Sequence, residues 1–334
     1  MNKILLLALG LALVALSSYL VQLFRGLALA KGLLDRPNDR SSHIIPTPKG
    51  GGIVFVGLWC VLQVLAYYWG YLTIQQVLLF LPGTVLVALL GFWDDLHELS
   101  AKIRFAVQCL AAGLCVGMTV LICPPLSFFS GVLLFFILIC FVWSINLFNF
   151  MDGLDGIAAV EAVFVLGVGG LVCWHYGIGP LALIAWSMAC LLLGFLTVNC
   201  PKASVFMGGV GSYALGFLIG ALAWVSAWVY EVPIVLWILL YGVFWFDATV
   251  TLLRRMLYKK AWTSAHRSHA YQRLHQAGFS HQQVLFCVIG LNILLSMIVF
   301  GIVRHPEWTI VGSVLGLCVL TTAYGAVEYI RPMD

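Results

Sequence analysis

The sequence predicts an all-α, polytopic membrane protein with about eleven transmembrane helices, and ten is the alternative count. Of its 334 residues, 63% are hydrophobic and 9% are charged, whereas a soluble domain carries roughly 25% charged residues. Apolar runs of about 20 residues, the length that crosses a bilayer, recur along the whole chain. Alternating strands of about 10 residues, which would build a membrane β-barrel, do not occur in the sequence.

Eleven apolar runs are the predicted spans, in chain order. They are residues 4–24, 51–69, 73–93, 103–122, 130–148, 157–174, 180–198, 212–229, 233–253, 284–303 and 308–329. The first run resembles a signal peptide, but no small-residue cleavage site stands out, so we interpret it as a helix. The soft boundaries around 199–212 leave the count open. One integral membrane domain, residues 1–334, is expected because no repeat or linker divides the chain.

The basic residues predict the orientation of the chain. Lys3 and Arg304 fall on one side of the predicted membrane, and the other 15 of the 17 Lys and Arg residues fall on the opposite side. The positive-inside rule makes the crowded side cytoplasmic, which places the N-terminus outside and the C-terminus inside. The same parity places five polar loops on the cytoplasmic face: 25–50, 94–104, 146–156, 199–211 and 254–283.

The ten cysteines are scattered along the chain, mostly inside apolar runs, and none forms a CxxC pair. We interpret them as small core hydrophobes. Disulfides and a cysteine-built zinc site are the alternatives.

Residues 146–156, NLFNFMDGLDG, place polar groups at the end of an apolar run. Asn146, Asn149, Asp152 and Asp155 are each three residues apart, which on a helix is one face. Amide and carboxylate oxygens together suit an assembly of Mg²⁺ with phosphate. The two glycines leave room for a ligand or another backbone. The alternative interpretation is a pair of solvated loop acids.

A second acidic pair, Asp94 and Asp95, follows the third predicted span. Acids that converge on one face repel one another and need a cation, basic neighbours or raised pKa values. Lys102 and Arg104 come just after and suit a phosphate group, with membrane anchoring as the alternative. Lys49, beside glycines at the start of a span, also suits phosphate, although the glycines alone would serve helix packing.

The motifs resemble the polyprenyl-phosphate N-acetylhexosamine-1-phosphate transferases. The likeness rests on NxxNxxDGLDG, FWDDLHELSAKIRF, VFMGGVGS and SAHRSHAYQRL, which occur in the family's order over nearly the whole chain. The stretches RPNDRSSHIIPTPKGGG and HRSHAYQRL most resemble the branch that initiates O-antigen synthesis, a part of lipopolysaccharide and cell-envelope biogenesis.

The resemblance implies a reaction and its partners. Undecaprenyl phosphate attacks the β-phosphorus of a UDP-N-acetyl sugar of the GlcNAc, FucNAc or QuiNAc type, giving undecaprenyl-diphosphate-sugar and UMP. Mg²⁺ is the expected cofactor, with Mn²⁺ as its alternative. The expected location is the inner (cytoplasmic) membrane of a bacterium. A homodimer fits the apolar bulk of the chain, and no nucleic-acid partner is expected.

The resemblance also implies roles for individual residues. The expected catalytic residues are Asp94, Asp95, Asp152, Asp155, His266 and His269. The expected substrate-binding residues are Lys49, Lys102, Arg104, Asn146, Asn149 and Arg267. Asn149 and Asp152 are the expected metal ligands.

The last large loop leaves several interpretations open. His266 and His269 have the spacing of one helical face and are expected to hold the diphosphate with Arg267. A zinc pair is disfavoured because no further ligands are evident. Three other residues are interpreted as solvated loop groups: Arg273, His275 and His281. Asp247 is expected either to face Arg254 or Arg255 or to serve the site.

Gly209 is the main departure from the family pattern. The family's loop reads FxGDxGS with a metal-binding Asp, whereas residues 206–212 here read FMGGVGS. Three readings follow: an inactive or altered form, replacement of the ligand by Asp94, Asp152 or Asp155, or an extra water. A silent protein that binds lipid or nucleotide therefore stays an alternative. A transporter is disfavoured, because transporters place polar groups near the bilayer midplane.

Overall fold

The fold was analysed in a computed structural model that describes residues 3–35, 37, 45–97, 99–124, 130–258 and 266–333. Three parts of the predicted functional loops lie outside these residues: most of the RPNDRSSH stretch, Glu98 and residues 259–265.

The described chain is almost entirely helical, which confirms the all-α prediction. Its helices are α1 (Lys3–Lys31), α2 (Gly52–Tyr68), α3 (Ile74–His97), α4 (Ala101–Ile122), α5 (Ser130–Met151), α6 (Ile157–His175), α7 (Gly179–Asn199), α8 (Gly208–Tyr230), α9 (Ile234–Leu240), α10 (Gly242–Leu257), α11 (Ala270–Gln276), α12 (His281–Arg304) and α13 (Thr309–Ile330). A 3-10 turn, Pro306–Trp308, precedes α13. Two short strands, β1 (Leu34–Asp35) and β2 (Thr47–Pro48), pair antiparallel.

The helices confirm a multi-pass membrane protein. Within the described residues, nine helices are long and apolar enough to cross a membrane, or ten if α9 and α10 form one span. The second predicted span is α2, whose 17 residues reach only about 26 Å at 1.5 Å per residue, short of a bilayer core of about 30 Å. Helix α8 begins at Gly208, four residues before the predicted start at 212.

The ninth predicted span, 233–253, was wrong as a continuous helix. It divides at Tyr241 into α9 and α10, whose axes differ by 79°. Gly242 follows the break, and a Cβ there would lie 3.0 Å from Leu320 and 3.1 Å from Leu295. The close approach of α12 and α13 at this glycine accompanies the bend, and such contacts between distant parts of the chain cannot be read from local hydrophobicity.

Helix α8 forms the centre of the bundle. Of its membrane-length window 83% is buried, against 11% for α1. The Ser144 hydroxyl of α5 donates to the Gly216 carbonyl of α8 at 2.7 Å, and small residues of this kind let membrane helices approach closely. The start of α8 is thereby held where α2, α3 and α5 meet it.

The segment before α2 is fixed against the loop before α8. The Phe206 N–H donates to the Pro48 carbonyl at 2.8 Å, and the Gly51 N–H donates to the Phe206 carbonyl at 2.9 Å. Lys49 lies between them in a parallel bridge with Phe206. This short strand pairing sets the position of the Lys49 side chain at the polar end of the bundle.

Candidate active site

Lys49, Asp95 and Gly209 form the first contact of the site. Lys49 Nζ lies 2.8 Å from Asp95 Oδ1, and the Gly209 backbone N–H donates to Asp95 Oδ2 at 2.8 Å. Burial opposes the charge on Lys49, but the Asp95 carboxylate outweighs it and raises the pKa of the ammonium group above its usual value. Lys49 is therefore a cation at neutral pH.

Asp94 is a hub that joins three helices. Its Oδ1 accepts from the Leu99 N–H at 2.8 Å, and its Oδ2 accepts from Arg104 at 3.2 Å and from the Tyr213 hydroxyl at 2.9 Å. Both carboxylate oxygens are thus committed to holding the ends of α3, α4 and α8 together. Lys102, in contrast, is exposed, and no hydrogen bond or ion pair from the described residues holds its ammonium group.

The two asparagines of α5 also join helices. Asn146 and Gln108 exchange hydrogen bonds through their amides, at 2.7 and 3.3 Å. The Asn149 amide donates to the Ser212 hydroxyl at 2.8 Å. Helix α5 ends at Met151, so the expectation of one helical face running from Asn146 to Asp155 is wrong beyond that point.

Asp152 lies just beyond the end of α5 and is largely buried. Its carboxyl has a pKa raised to about 7, chiefly by burial and also by the nearby Asp95 carboxylate, against the opposing effect of the Lys49 ammonium. No hydrogen bond or ion pair from the described residues reaches its carboxylate. The space beside Gly153 is filled by the Tyr271 ring, whose hydroxyl donates to the Phe150 carbonyl at 2.9 Å.

Asp155 is turned toward a different part of the polar end. Its Oδ2 accepts from the Ala203 N–H at 3.0 Å and lies 3.1 Å from His281 Nδ1. It therefore holds the loop after α7 against the start of α12. The expectation that His281 is a merely solvated loop group was wrong, because the histidine pairs with this carboxylate.

His266 and His269 come close together, but not on a helix. His269 is the N-cap of α11 with extended backbone angles, φ −63° and ψ 150°, and the two imidazole rings lie 5.0 Å apart. The Ser268 N–H donates to His266 Nδ1 at 3.4 Å. Burial, together with the nearby His269 and Arg255, lowers the pKa of His266 to about 4, so its imidazole is neutral at pH 7.

Asp247, for which either a contact with Arg254 or Arg255 or a role in the site was expected, holds the start of α11 in place. Its carboxylate accepts from the backbone N–H groups of Ala270 at 2.8 Å and Tyr271 at 3.3 Å. It also lies 3.7 Å from His269 Nδ1. A buried carboxylate on α10 thus caps α11 and fixes the backbone around His269.

Glu328 of α13 clamps the same region from the other side. It binds Arg254 through both oxygens, at 2.5 and 2.9 Å, and Arg273 at 2.6 Å. Arg273 is 2% exposed, so the expectation that it is a solvated loop residue was wrong. The end of α13 thereby ties α10 to α11 beneath the histidines.

The described residues do not complete a site for the Mg²⁺ that the resemblance implies. No group of three or more His, Cys, Asp or Glu within them is arranged to hold a metal ion. Asp95 is bound to Lys49, and Asp155 to His281. Gly209 has no side chain, so Asn149 and Asp152 are the only members of the expected metal-ligand set.

Comparison with known proteins shows the family of the chain. The glycosyl transferase family 4 model matches residues 77–227. A Bacillus subtilis (strain 168) protein named "Probable undecaprenyl-phosphate N-acetylglucosaminyl 1-phosphate transferase" is 30% identical over 290 residues, covering 81% of this chain and 77% of its own length. The chain belongs to the polyprenyl-phosphate N-acetylhexosamine-1-phosphate transferase family.

Two further relatives show the breadth of this transferase family. A "Decaprenyl-phosphate N-acetylglucosaminephosphotransferase" of Mycolicibacterium smegmatis is 30% identical over 87% of this chain and 81% of its own length. The "Undecaprenyl-phosphate alpha-N-acetylglucosaminyl 1-phosphate transferase" of Escherichia coli K12 is 26% identical over 85% of this chain and 81% of its own length.

Several contact residues of this family member are missed by motif reasoning. Ser212 is the last residue of VFMGGVGS and Tyr213 follows it directly, so their position in or next to the motif was an available signal. Gln108 lies one helical turn beyond Arg104, on the face of α4 that meets α5. The contacts of Tyr271, and those of Asp247, which is already a candidate in the sequence, could not be predicted because they depend on how α10 and α11 meet.

Proposed function

We propose that the chain transfers an N-acetylhexosamine 1-phosphate from a UDP-sugar to undecaprenyl phosphate. A lipid phosphate oxygen bonds to the β-phosphorus, the bond between that phosphorus and the bridging oxygen of the α-phosphate breaks, and UMP leaves. The product is undecaprenyl-diphosphate-sugar. One observation carries the proposal. In this chain, which belongs to the family, four stretches that are separated in sequence meet at one end of the bundle, around Lys49, Asp95, Asn149 and Gly209.

Phosphoryl transfer depends on positioning and on charge stabilisation. In the proposed reaction Lys49 and Arg267 supply positive charge to the diphosphate. His266 contributes a neutral imidazole: its Nδ1 accepts from the Ser268 N–H, so Nε2 carries the proton and donates to a phosphate oxygen. Asp152 faces the reacting groups as the carboxyl with no hydrogen bond from the described residues.

Other expected site residues have contacts that favour positioning. Asp94 holds Arg104 at the start of α4 and Tyr213 on α8, and in the proposed reaction the lipid phosphate binds beside Arg104. Asn146 and Asp155 have partners that fix helices and loops. Direct contact of these residues with substrate stays a prediction, as does the role of Lys102 at the lipid phosphate.

The finer assignments are also proposals. The names of the relatives support an N-acetylglucosaminyl substrate, so UDP-GlcNAc is the first sugar to test, followed by UDP-FucNAc and UDP-QuiNAc. Initiation of O-antigen synthesis, a site on the cytoplasmic face of the bacterial inner membrane, an outside N-terminus and a homodimer stay predictions. The requirement for Mg²⁺ or Mn²⁺ stays a prediction as well, because the described residues do not complete its site.

Release of UMP by the purified protein tests the proposal. The protein in lipid nanodiscs is incubated with undecaprenyl phosphate and each UDP-sugar, and Asp95→Asn serves as the impaired control. Turnover with at least one sugar is expected. UDP binding without any UMP release would instead favour the silent binder that Gly209 keeps open. Movement of an unchanged substrate across the membrane would favour a transporter.

A further inference from the structure

Gly209 changes the charge balance around Asp95. A Cβ at this position would lie 3.3 Å from Asp95 Oδ1 and 2.8 Å from the Gly91 carbonyl oxygen. An aspartate here would therefore place a second carboxylate beside Asp95. Two ionised carboxylates at such a distance repel each other strongly unless a cation lies between them. With glycine at position 209, one metal ligand is absent. The repulsion between carboxylates that a metal ion would offset is absent as well.

The carboxylate that remains already has its counter-charges. The Lys49 ammonium binds Asp95 Oδ1 and the Gly209 N–H binds Oδ2, both at 2.8 Å. That N–H belongs to the first turn of α8, where the helix dipole adds partial positive charge. Asp94, the neighbouring acid, is balanced by Arg104. No excess negative charge is therefore left on these two carboxylates to hold a divalent ion.

Lys49 is placed so that it serves a ligand as well as Asp95. Its side chain is 34% exposed, against 17% for Asp95. An ammonium group has three N–H donors, and the salt bridge to Asp95 leaves donors for a phosphate oxygen. Its position is set by the pairing of residues 48–51 with Phe206, so the charge stands at a fixed point beside the start of α8.

We propose that Lys49 is the built-in cation of this site and that the diphosphate of the nucleotide binds to it without a divalent metal ion. The inference rests on the proposed function for the identity of the ligand. It assigns to this chain an ammonium group in the place where the family pattern has an aspartate with its metal.

Calorimetric titration with UDP tests the inference, because UDP carries the diphosphate common to all the candidate sugars. The purified protein in nanodiscs is titrated once with Mg²⁺ and once with EDTA. The expected Kd values agree within about threefold, less than the tenfold that corresponds to about 1.4 kcal/mol. This comparison uses the unaltered protein, so it does not depend on how a variant folds.

Substitutions at Lys49 locate the charge. Lys49→Met is expected to weaken UDP binding about tenfold or more in both buffers, because a hydrogen bond to a charged group is lost. Lys49→Arg retains the charge and is expected to bind UDP within a few-fold of the wild type. Lys31→Met, at the exposed end of α1, is the matched control and leaves the Kd unchanged.

Gly209→Asp supplies the converse test. The added carboxylate beside Asp95 is expected to create a cation requirement, so that EDTA weakens UDP binding about tenfold or more in this variant alone. Elution as a single species in size-exclusion chromatography shows that the helices accommodate the new side chain.

Two results would overturn the inference. Binding of UDP by the wild type that disappears in EDTA and returns with Mg²⁺ would refute it, and so would an unchanged Kd in Lys49→Met. If UMP release is observed alongside either result, only the inference fails and the transferase stands. If the wild type binds no UDP in either buffer and releases no UMP, the inference and the proposed function fail together.

Discussion

At the scale of single residues, the acids at the polar end of the bundle differ in their hydrogen-bond and ion-pair partners. Asp94 and Asp95 are adjacent in sequence, yet one binds Arg104 and Tyr213 and the other binds Lys49 and Gly209. Asp152 has a raised pKa because burial penalises its charge. Motif spacing predicts that these acids lie near one another. Only their contacts in the folded protein distinguish an acid that positions other residues from one that could act on the substrate.

Replacement of Asp152 by Asn is expected to stabilise the protein at neutral pH but not in acid. The carboxyl titrates at about 7 when folded and ordinarily at 3.8. Between these values the folded state keeps a proton that the unfolded state releases, so folding stability falls as pH rises. The difference in Tm between Asp152→Asn and wild type should be near zero at pH 4 and grow to a plateau above pH 7. A difference that does not change with pH would contradict this assignment.

A methyl group added at Gly91 is expected to clash with the backbone of Gly209. A Cβ at Gly91 would overlap the Gly209 carbonyl and lie 2.6 Å from the Val210 nitrogen. Gly91→Ala should therefore destabilise the protein by about 1–3 kcal/mol, the range for overpacking. Gly113→Ala in α4 has nothing within 4 Å of its new Cβ and is the matched control. Equal unfolding midpoints of the two variants in denaturant would refute the close contact.

At the scale of elements, helix ends and one helix break place the functional groups. Helix α5 stops before Asp152, and α11 starts after His269. The break at Tyr241 turns α10 so that Asp247 reaches the first turn of α11. These helix ends depend on contacts with distant helices. Apolar runs therefore predict the spans well, but they predict the span boundaries and the break at Tyr241 poorly.

Loss of the Asp247 carboxylate is expected to impair substrate binding as well as stability. Asp247→Ala leaves two buried N–H groups of α11 without an acceptor, each costing about 1–3 kcal/mol, and releases the backbone around His269. The KM for the UDP-sugar should rise along with a fall in Tm. Ser280→Ala removes an exposed N-cap of α12 and should lower Tm by a smaller amount with KM unchanged. If both variants leave KM unchanged, the positioning role of Asp247 is refuted.

The pairing of Glu161 with Asn292 is expected to need shape and hydrogen bonds rather than charge. Glu161 is 0% exposed on α6, and Asn292 donates to its Oε2 at 2.6 Å. Glu161 Oε1 and Asn292 Oδ1 lack a hydrogen-bond partner within the described part of the chain. A charge at membrane depth costs roughly 2.5–3.5 kcal/mol.

Glu161→Gln supplies the same hydrogen bonds without ionisation, so its Tm should stay near that of the wild type. Glu161→Ala leaves the buried Asn292 amide unpaired and should lower Tm clearly, since an unpaired polar group costs about 1–3 kcal/mol. Thermal unfolding of both variants in nanodiscs measures the difference. Equal losses in the two variants would show that the ionised carboxylate is required.

At the scale of the whole molecule, the polar loops predicted on one face do meet. Contacts link the regions around Lys49, Asp95, Asn149, Gly209 and Tyr271. The parity of the spans was sufficient to predict this convergence. The sequence could not show that Gly209 lies against Asp95 beside an ammonium group, because that contact depends on the packing of α3 against α8.

The most direct test of the account follows the phosphorus atom. UDP-GlcNAc labelled with ³²P at the β-phosphate is incubated with the protein in nanodiscs and undecaprenyl phosphate, and the lipid and aqueous fractions are separated. Sugar-1-phosphate transfer predicts that the label enters the lipid fraction while unlabelled UMP accumulates in an equal amount. If the label stays in the aqueous fraction as UDP while the sugar enters the lipid, or if neither moves with any sugar of the panel, the transferase account is contradicted.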